Sequence, residues 1–343
     1  MTADLWREAR RAVDLHVFLL AGQQSGTSHS ETLAAAIEYA LAAEEAGFAG
    51  VWMAEHHFIR YGVCPSAVAF AAHLLGRTSR VTVGTAAAIL STRHPVALAE
   101  EAVLLDEMSG GRFALGVARG GPWVDLEVFG TGLGRYTDGF AESLDLLLAW
   151  TSGREAVGAD GPLFRFRPVD VVPRPRRQVP VRVAATGAAT VDLAARRGLP
   201  LLLGMHATDA EKASMLARYA QVAASCGHDP ATVEHASVHL AHIGDDDDSA
   251  GEVVRRCLPG LLAGTRGYVR IDGSAPARRD LAAYTEHLIG VGAVGSPATC
   301  RRRLASSVAA TGARHLLLMV EAAGEPRRVT ANLRRLAATL LAD

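Results

Sequence analysis

GVWMAEHHFIRYG, residues 50–62, runs from an apolar segment straight into a glutamate and two histidines. The apolar part is too short for a helix and carries no polar alternation, so it reads as a strand buried on both faces. Glu55, His56 and His57 then stand at its C-terminal end. Seven other stretches share this character: LHVFLLA (15–21), VTVGTAAA (81–88), RFALGVAR (112–119), VPVRVAA (179–185), LPLLLG (199–204), ASVHLAHI (236–243) and HLLLMVE (315–321). Helical patterns separate them. Ser28 and Glu31 form a capping box ahead of Leu33, Ile37 and Leu41, with Gly47 as the stop, and Pro95 opens a helix that Gly110 closes. Eight buried parallel strands, each followed by a helix, predict an α/β fold, a (β/α)8 TIM barrel with insertions, occupying one domain over 1–343.

Two segments interrupt the alternation. Residues 153–178 are rich in Gly, Pro and Arg and read as an excursion before the fifth strand, and residues 270–295 read as a long insertion, either an active-site lid or a passive surface loop. The chain has 343 residues, 49% of them hydrophobic, and a net charge of -1. Without a basic tract, neither nucleic acid nor an anionic membrane is expected as a partner, and the apolar runs are too short to span a bilayer. Cys64, Cys226, Cys257 and Cys300 lie far apart with no CxxC, and no leader pattern opens the chain, so a reduced, cytoplasmic protein is expected.

In a barrel of this class the chemistry collects at the C-terminal strand ends. Those ends carry Glu55, His56 and His57; Thr85, Ala86 and Ala87; Arg119; Thr186 and Gly187; Met205 and His206; and Glu321. Adjacent histidines on a strand point to opposite faces, and neither HExxH nor a paired HxH is present, so no metal is expected there. The histidines read either as hydrogen-bonded rim residues or as a titratable imidazole at the mouth, the latter being the stronger reading. Arg119, ahead of Gly120 and Gly121, suits an anionic group such as phosphate. AATGAAT (184–190) leads into a helix whose N-terminus favours an anion beside Gly187. DDDD (245–248) reads as a solvated helix start.

Several longer stretches carry a family resemblance: AEHHFIRYGV, AAHLLGRT, VGTAAAIL, RHPVALAEEAVLLDEMSGGRFALGVARG and VFGT, then VPVRVAA, AARRGLPLLL and VGSP. Together, in this order, they resemble the luciferase-like flavin monooxygenases over roughly Leu15 to Val320. EHHF joined to LLDEMSGGRF is the specific element. The resemblance implies a barrel that holds reduced FMN, supplied by a separate flavin reductase, and oxygenates a hydrophobic aldehyde, ketone or aromatic substrate with dioxygen through a flavin 4a-peroxide. It implies His56 as catalytic histidine with Glu55 and His57 beside it, Ala86-Ala87 as a non-proline cis peptide behind the flavin ring, and Arg119 and Arg135 as phosphate ligands. Thr186, Gly187, Thr190 and Met205 complete the flavin surroundings.

Three positions depart from the family pattern. Ala118 replaces a cysteine near the flavin, Thr186-Gly187 replaces a Glu-Ser pair, and Met205 stands where an indole is found. A homodimer is expected, because PVALAEEAVLLDEM (95–108) has more apolar positions than one barrel-facing stripe needs. Two other readings stay open: a deazaflavin-dependent hydride-transfer oxidoreductase, and a non-catalytic flavin-binding accessory subunit.

Overall fold

The computed structural model describes residues 2–121, 123–267 and 280–342. Eight parallel strands form the barrel: β1 (Asp14–Leu19), β2 (Gly50–Met53), β3 (Thr82–Thr85), β4 (Phe113–Ala118), β5 (Val181–Ala185), β6 (Leu201–Leu203), β7 (Ala236–Ile243) and β8 (His315–Met319). Each pairs with the next, and β8 returns to β1 with Asp14 opposite His315, which closes the sheet. All eight predicted strands are therefore present. Their near-continuous burial explains why they read as unbroken apolar runs: one face packs on the helices, the other fills the barrel.

Inside, large and small residues interlock. Trp52 of β2 occupies the space in front of Gly84 on β3, where an added Cβ would lie 2.4 Å from the indole. A side chain at Gly84 would have to displace a fully buried ring, a change close-packed interiors tolerate poorly. Polar groups cap the lower end of this interior, with His16, Arg182 and His315 lining a cavity on the floor.

The helices begin as their sequences predict. Ser28 and Glu31 form a reciprocal capping box ahead of helix His29–Glu45, and Pro95 opens helix Pro95–Met108. Within DDDD, Asp246 is the N-cap of helix Asp247–Leu262. Asp247 does more than a solvated helix start requires, accepting from Ser296 N at 2.7 Å and Thr299 Oγ1 at 2.9 Å to join two helix starts.

Both insertions contain regular structure. Residues 156–160 and 165–170 pair as an antiparallel hairpin within the 153–178 excursion. Of the second insertion, 270–279 lie outside the described residues. The remainder is not the loop that was expected: Asp280 caps helix Leu281–Val291 by accepting from Ala282 and Ala283, and Ala293–Gly295 adds a short strand beside β7. The fully buried AVG supplies three residues of ladder too short to register as a strand in sequence. Among the described residues, no helix is long and apolar enough to cross a membrane.

Candidate active site

At the C-terminal rim a cavity of about 640 Å³ opens among the strand ends, within the roughly 300–1,000 Å³ usual for small-molecule and cofactor sites. It brings together Glu55, His56, Ala86, Ala87, Arg119, Thr186, Gly187, Thr190 and Met205. His57 and Arg135 are not brought to it.

The EHH cluster divides by the strand's alternation. His56 is half-buried and faces the cavity, and its backbone N–H donates to Cys64 O at 3.0 Å, which folds residues 57–63 back over the imidazole. Tyr61 meets the ring edge-on at 5.1 Å. Gly62 passes so close that a Cβ there would lie 2.5 Å from His56 Nδ1 and 2.7 Å from Leu20 O. That packing explains the glycine closing the motif. Burial, foremost, and the neighbouring His57 bring the His56 pKa down to about 4, against a smaller opposing effect of Glu55. The imidazole is therefore unprotonated at neutral pH and can accept a proton.

His57 turns the other way. It is buried against Phe58 and Phe129, with Nε2 3.6 Å from Glu55 Oε1. Glu55 itself is committed to backbone: Oε2 accepts from Ala67 N at 2.9 Å and Oε1 from Ile89 N at 3.0 Å. Protonating it for catalysis would weaken contacts to buried donors, which are costly to leave unmade. Glu55 thus ties the end of β2 to helix Ala67–Leu75 and to the chain just past Ala86–Ala87. That peptide is cis, as the resemblance implies.

Arg119 follows β4, and its own carbonyl accepts from Ser91 Oγ at 2.5 Å. Its guanidinium lies 5.5 Å from the Tyr136 ring centre and 5.2 Å from that of Phe140. Its buried Nε has no hydrogen-bond partner among the described residues. Such an orphaned donor on a cavity wall fits an anionic ligand. At the end of the adjacent strand β5, Gly187 begins helix Ala188–Ala195 without a side-chain cap, leaving the helix start open to a ligand beside Thr186 and Thr190.

Arg135, expected as a second phosphate ligand, is not placed on the cavity wall, although its buried Nε also has no hydrogen-bond partner among the described residues. One amino group donates to Arg93 O at 2.6 Å and Leu90 O at 3.3 Å, and the guanidinium stacks 4.7 Å from the Phe164 ring centre. Phe164 belongs to the excursion after the fourth helix, so sequence spacing around Arg135 could not show this. Its neighbour Tyr136 lines the cavity instead. Strand-end reading also missed Tyr61, which reaches the cavity only because the loop folds back. Glu321, at the end of β8, does not line it: the carboxylate accepts from Leu20 N and, at 3.0 Å, from Gly22 N, and burial raises its pKa to about 7.

Comparison with known proteins follows the same lines. The sequence model of the luciferase-like monooxygenases matches residues 13–315. The alkanal monooxygenase alpha chain of the Kryptophanaron alfredi symbiont is 30% identical, covering 92% of this chain and 94% of its own length. The monooxygenase RslO1 from Streptomyces bottropensis superposes with a TM-score of 0.82 at 23% identity, covering 96% of this chain and 99% of its own. The oxygenating constituent of 3,6-diketocamphane monooxygenase from Pseudomonas putida, a type II Baeyer-Villiger enzyme solved with FMN, gives 0.75 at 20%, with coverage of 95% and 97%. The chain thus belongs to the luciferase-like monooxygenase family.

Proposed function

We propose that this protein is the oxygenating component of a two-component monooxygenase, using reduced FMN from a separate flavin reductase and dioxygen to oxygenate a hydrophobic small molecule. The observation that carries this reading is one cavity lined by Arg119, whose buried Nε has no hydrogen-bond partner among the described residues, and by an unprotonated half-buried imidazole, His56, between apolar walls. The relatives point the same way, since one acts on alkanals by name and another was solved with FMN.

The residues fit that cofactor. Arg119 would hold the phosphate together with the helix start at Ala188, while the small residues Ala86, Ala87, Ala118 and Ala184 leave room for a planar ring. Reduced flavin, when bound, supplies two electrons and activates dioxygen. Phe18, Leu20, Leu202 and Val238 keep water away and favour an aldehyde, ketone or aromatic substrate. One oxygen atom would enter the substrate and the other leave as water, with His56 taking up and giving back a proton at the cavity wall. The four cysteines are all free, which suits the cytoplasm.

An anaerobic titration tests the cofactor. Reduced FMN is expected to bind about tenfold or more tightly than reduced riboflavin, which lacks the charge-assisted contact, and admission of oxygen with an alkanal should yield oxygenated product. Preference for a reduced deazaflavin, with hydride transfer and no oxygen uptake, would establish the dehydrogenase instead. Flavin binding without any turnover would make the chain an accessory subunit.

We also propose a homodimer through helix Pro95–Met108. Leu104 and Met108 lie four residues apart on one helix face and are 49% and 75% exposed. Sedimentation at micromolar concentration should show a dimer that Met108→Glu weakens. A monomer under those conditions would refute it.

A further inference from the structure

The floor of the barrel holds a second cavity, of about 580 Å³, that the proposed chemistry does not use. In this class the N-terminal face serves stability, so a cluster of carboxylates and imidazoles there calls for its own explanation. Asp14 opens β1, His16 follows two residues later, and His315 opens β8 opposite Asp14. His16 Nε2 lies 3.0 Å from His315 Nδ1, and Asp14 Oδ2 lies 3.8 Å from the same nitrogen. All three atoms fall within 4.8 Å of one another. A tetrahedral zinc-type ion with bonds of about 2.0–2.2 Å spaces its ligand atoms roughly 3.4 Å apart. The three side chains are already near that spacing, and Asp14, largely exposed, is free to adjust.

Glu234 adds an independent sign. Its Oε2 lies 3.4 Å from Nε2 of His315, the ring nitrogen facing away from the cluster. A carboxylate at that distance is placed to take the Nε2 proton once Nδ1 binds an ion, the arrangement that orients metal-bound histidines. His16 is only 4% exposed, and its Nδ1 has no hydrogen-bond partner among the described residues. Arg182 lines the same cavity and opposes a cation, but Asp14 and Glu234 supply two negative charges against its one. Arg177, also on the cavity wall, is occupied by Asp106.

We propose that Asp14, His16 and His315 bind a divalent transition ion of the zinc type, oriented through Glu234, which clasps the first strand to the last at the seam where the barrel closes. Two imidazoles and a carboxylate suit such an ion better than magnesium or calcium, which prefer all-oxygen shells. A water from the floor cavity would complete the coordination.

Chelator-treated full-length protein titrated with Co2+ tests this. One ion per chain is expected, with the visible absorption of a tetrahedral site, displacement by Zn2+, and a Tm that rises with free metal. Asp14→Ala, at an exposed position, should keep the circular dichroism and weaken Co2+ by about tenfold or more, and Glu234→Gln by about tenfold to a hundredfold. Absence of stoichiometric uptake, or equal affinity in Asp14→Ala, would overturn the site. Uptake lost in His56→Ala but kept in Asp14→Ala would place the ion at the other rim and overturn it too. Binding that left Tm unchanged would remove the clasp.

Discussion

Replacing His56 with alanine is expected to cut product formation by about a hundredfold to ten-thousandfold, the usual span for a positioned acid–base group, with reduced-flavin binding close to that of the unmodified protein. The separation follows from geometry. His56 reaches the cavity from the end of β2, whereas the anion-binding groups, Arg119 and the helix start at Ala188, come from β4 and β5. Single-turnover assays with flavin pre-loaded under anaerobic conditions read the two effects apart. If the variant instead loses flavin, and excess flavin restores turnover, His56 is a rim residue that only shapes the pocket.

The same imidazole sets an expected pH profile. With its pKa lowered to about 4, chiefly by burial, His56 stays unprotonated from neutrality well into the acid range. As a base it is lost only when protonated, so the acid limb of kcat/KM should lie near pH 4. A limb near the ordinary histidine value of about 6.5 would point to another group. His57→Ala should cost less in turnover, because that side chain packs beside Glu55 and Phe129 away from the cavity.

The barrel was legible because its strands are buried on both faces, and such strands show no alternation to confuse with a surface helix. Their C-terminal ends then delivered most of the rim, including His56, Ala86, Ala87, Arg119 and Thr186. The split between His56 and His57 was equally readable, since neighbouring strand residues face opposite ways. What escaped the sequence depends on chain returning from elsewhere. Arg135 is drawn off by carbonyls at Leu90 and Arg93 and by Phe164 of the hairpin excursion, while Tyr61 reaches the cavity by a loop reversal. The floor cluster was invisible for the plainest reason: His16 and His315 meet across 299 residues, so no motif spacing exists to find.

Arg119→Ala is the second large effect, an expected loss of roughly tenfold to a hundredfold in reduced-FMN affinity. A hydrogen bond to a charged group contributes about 1.5–3 kcal/mol, and each 1.4 kcal/mol is about a factor of ten. The full value applies here because the buried Nε has no partner among the described residues to which it would otherwise return, and because Tyr136 and Phe140 hold the guanidinium in place before any ligand arrives. Arg135 cannot readily substitute, since reaching the cavity would break its bonds to two carbonyls. Arg119→Lys should recover only part of the loss, because an ammonium offers no planar fork and stacks less well on the two rings. Reduced riboflavin provides the internal control: without a phosphate, its affinity should be nearly the same for the unmodified protein and Arg119→Ala. If riboflavin binding falls as far as FMN binding, Arg119 shapes the pocket rather than holding the phosphate, and the anion must be sought at the helix start beside Thr186 and Thr190.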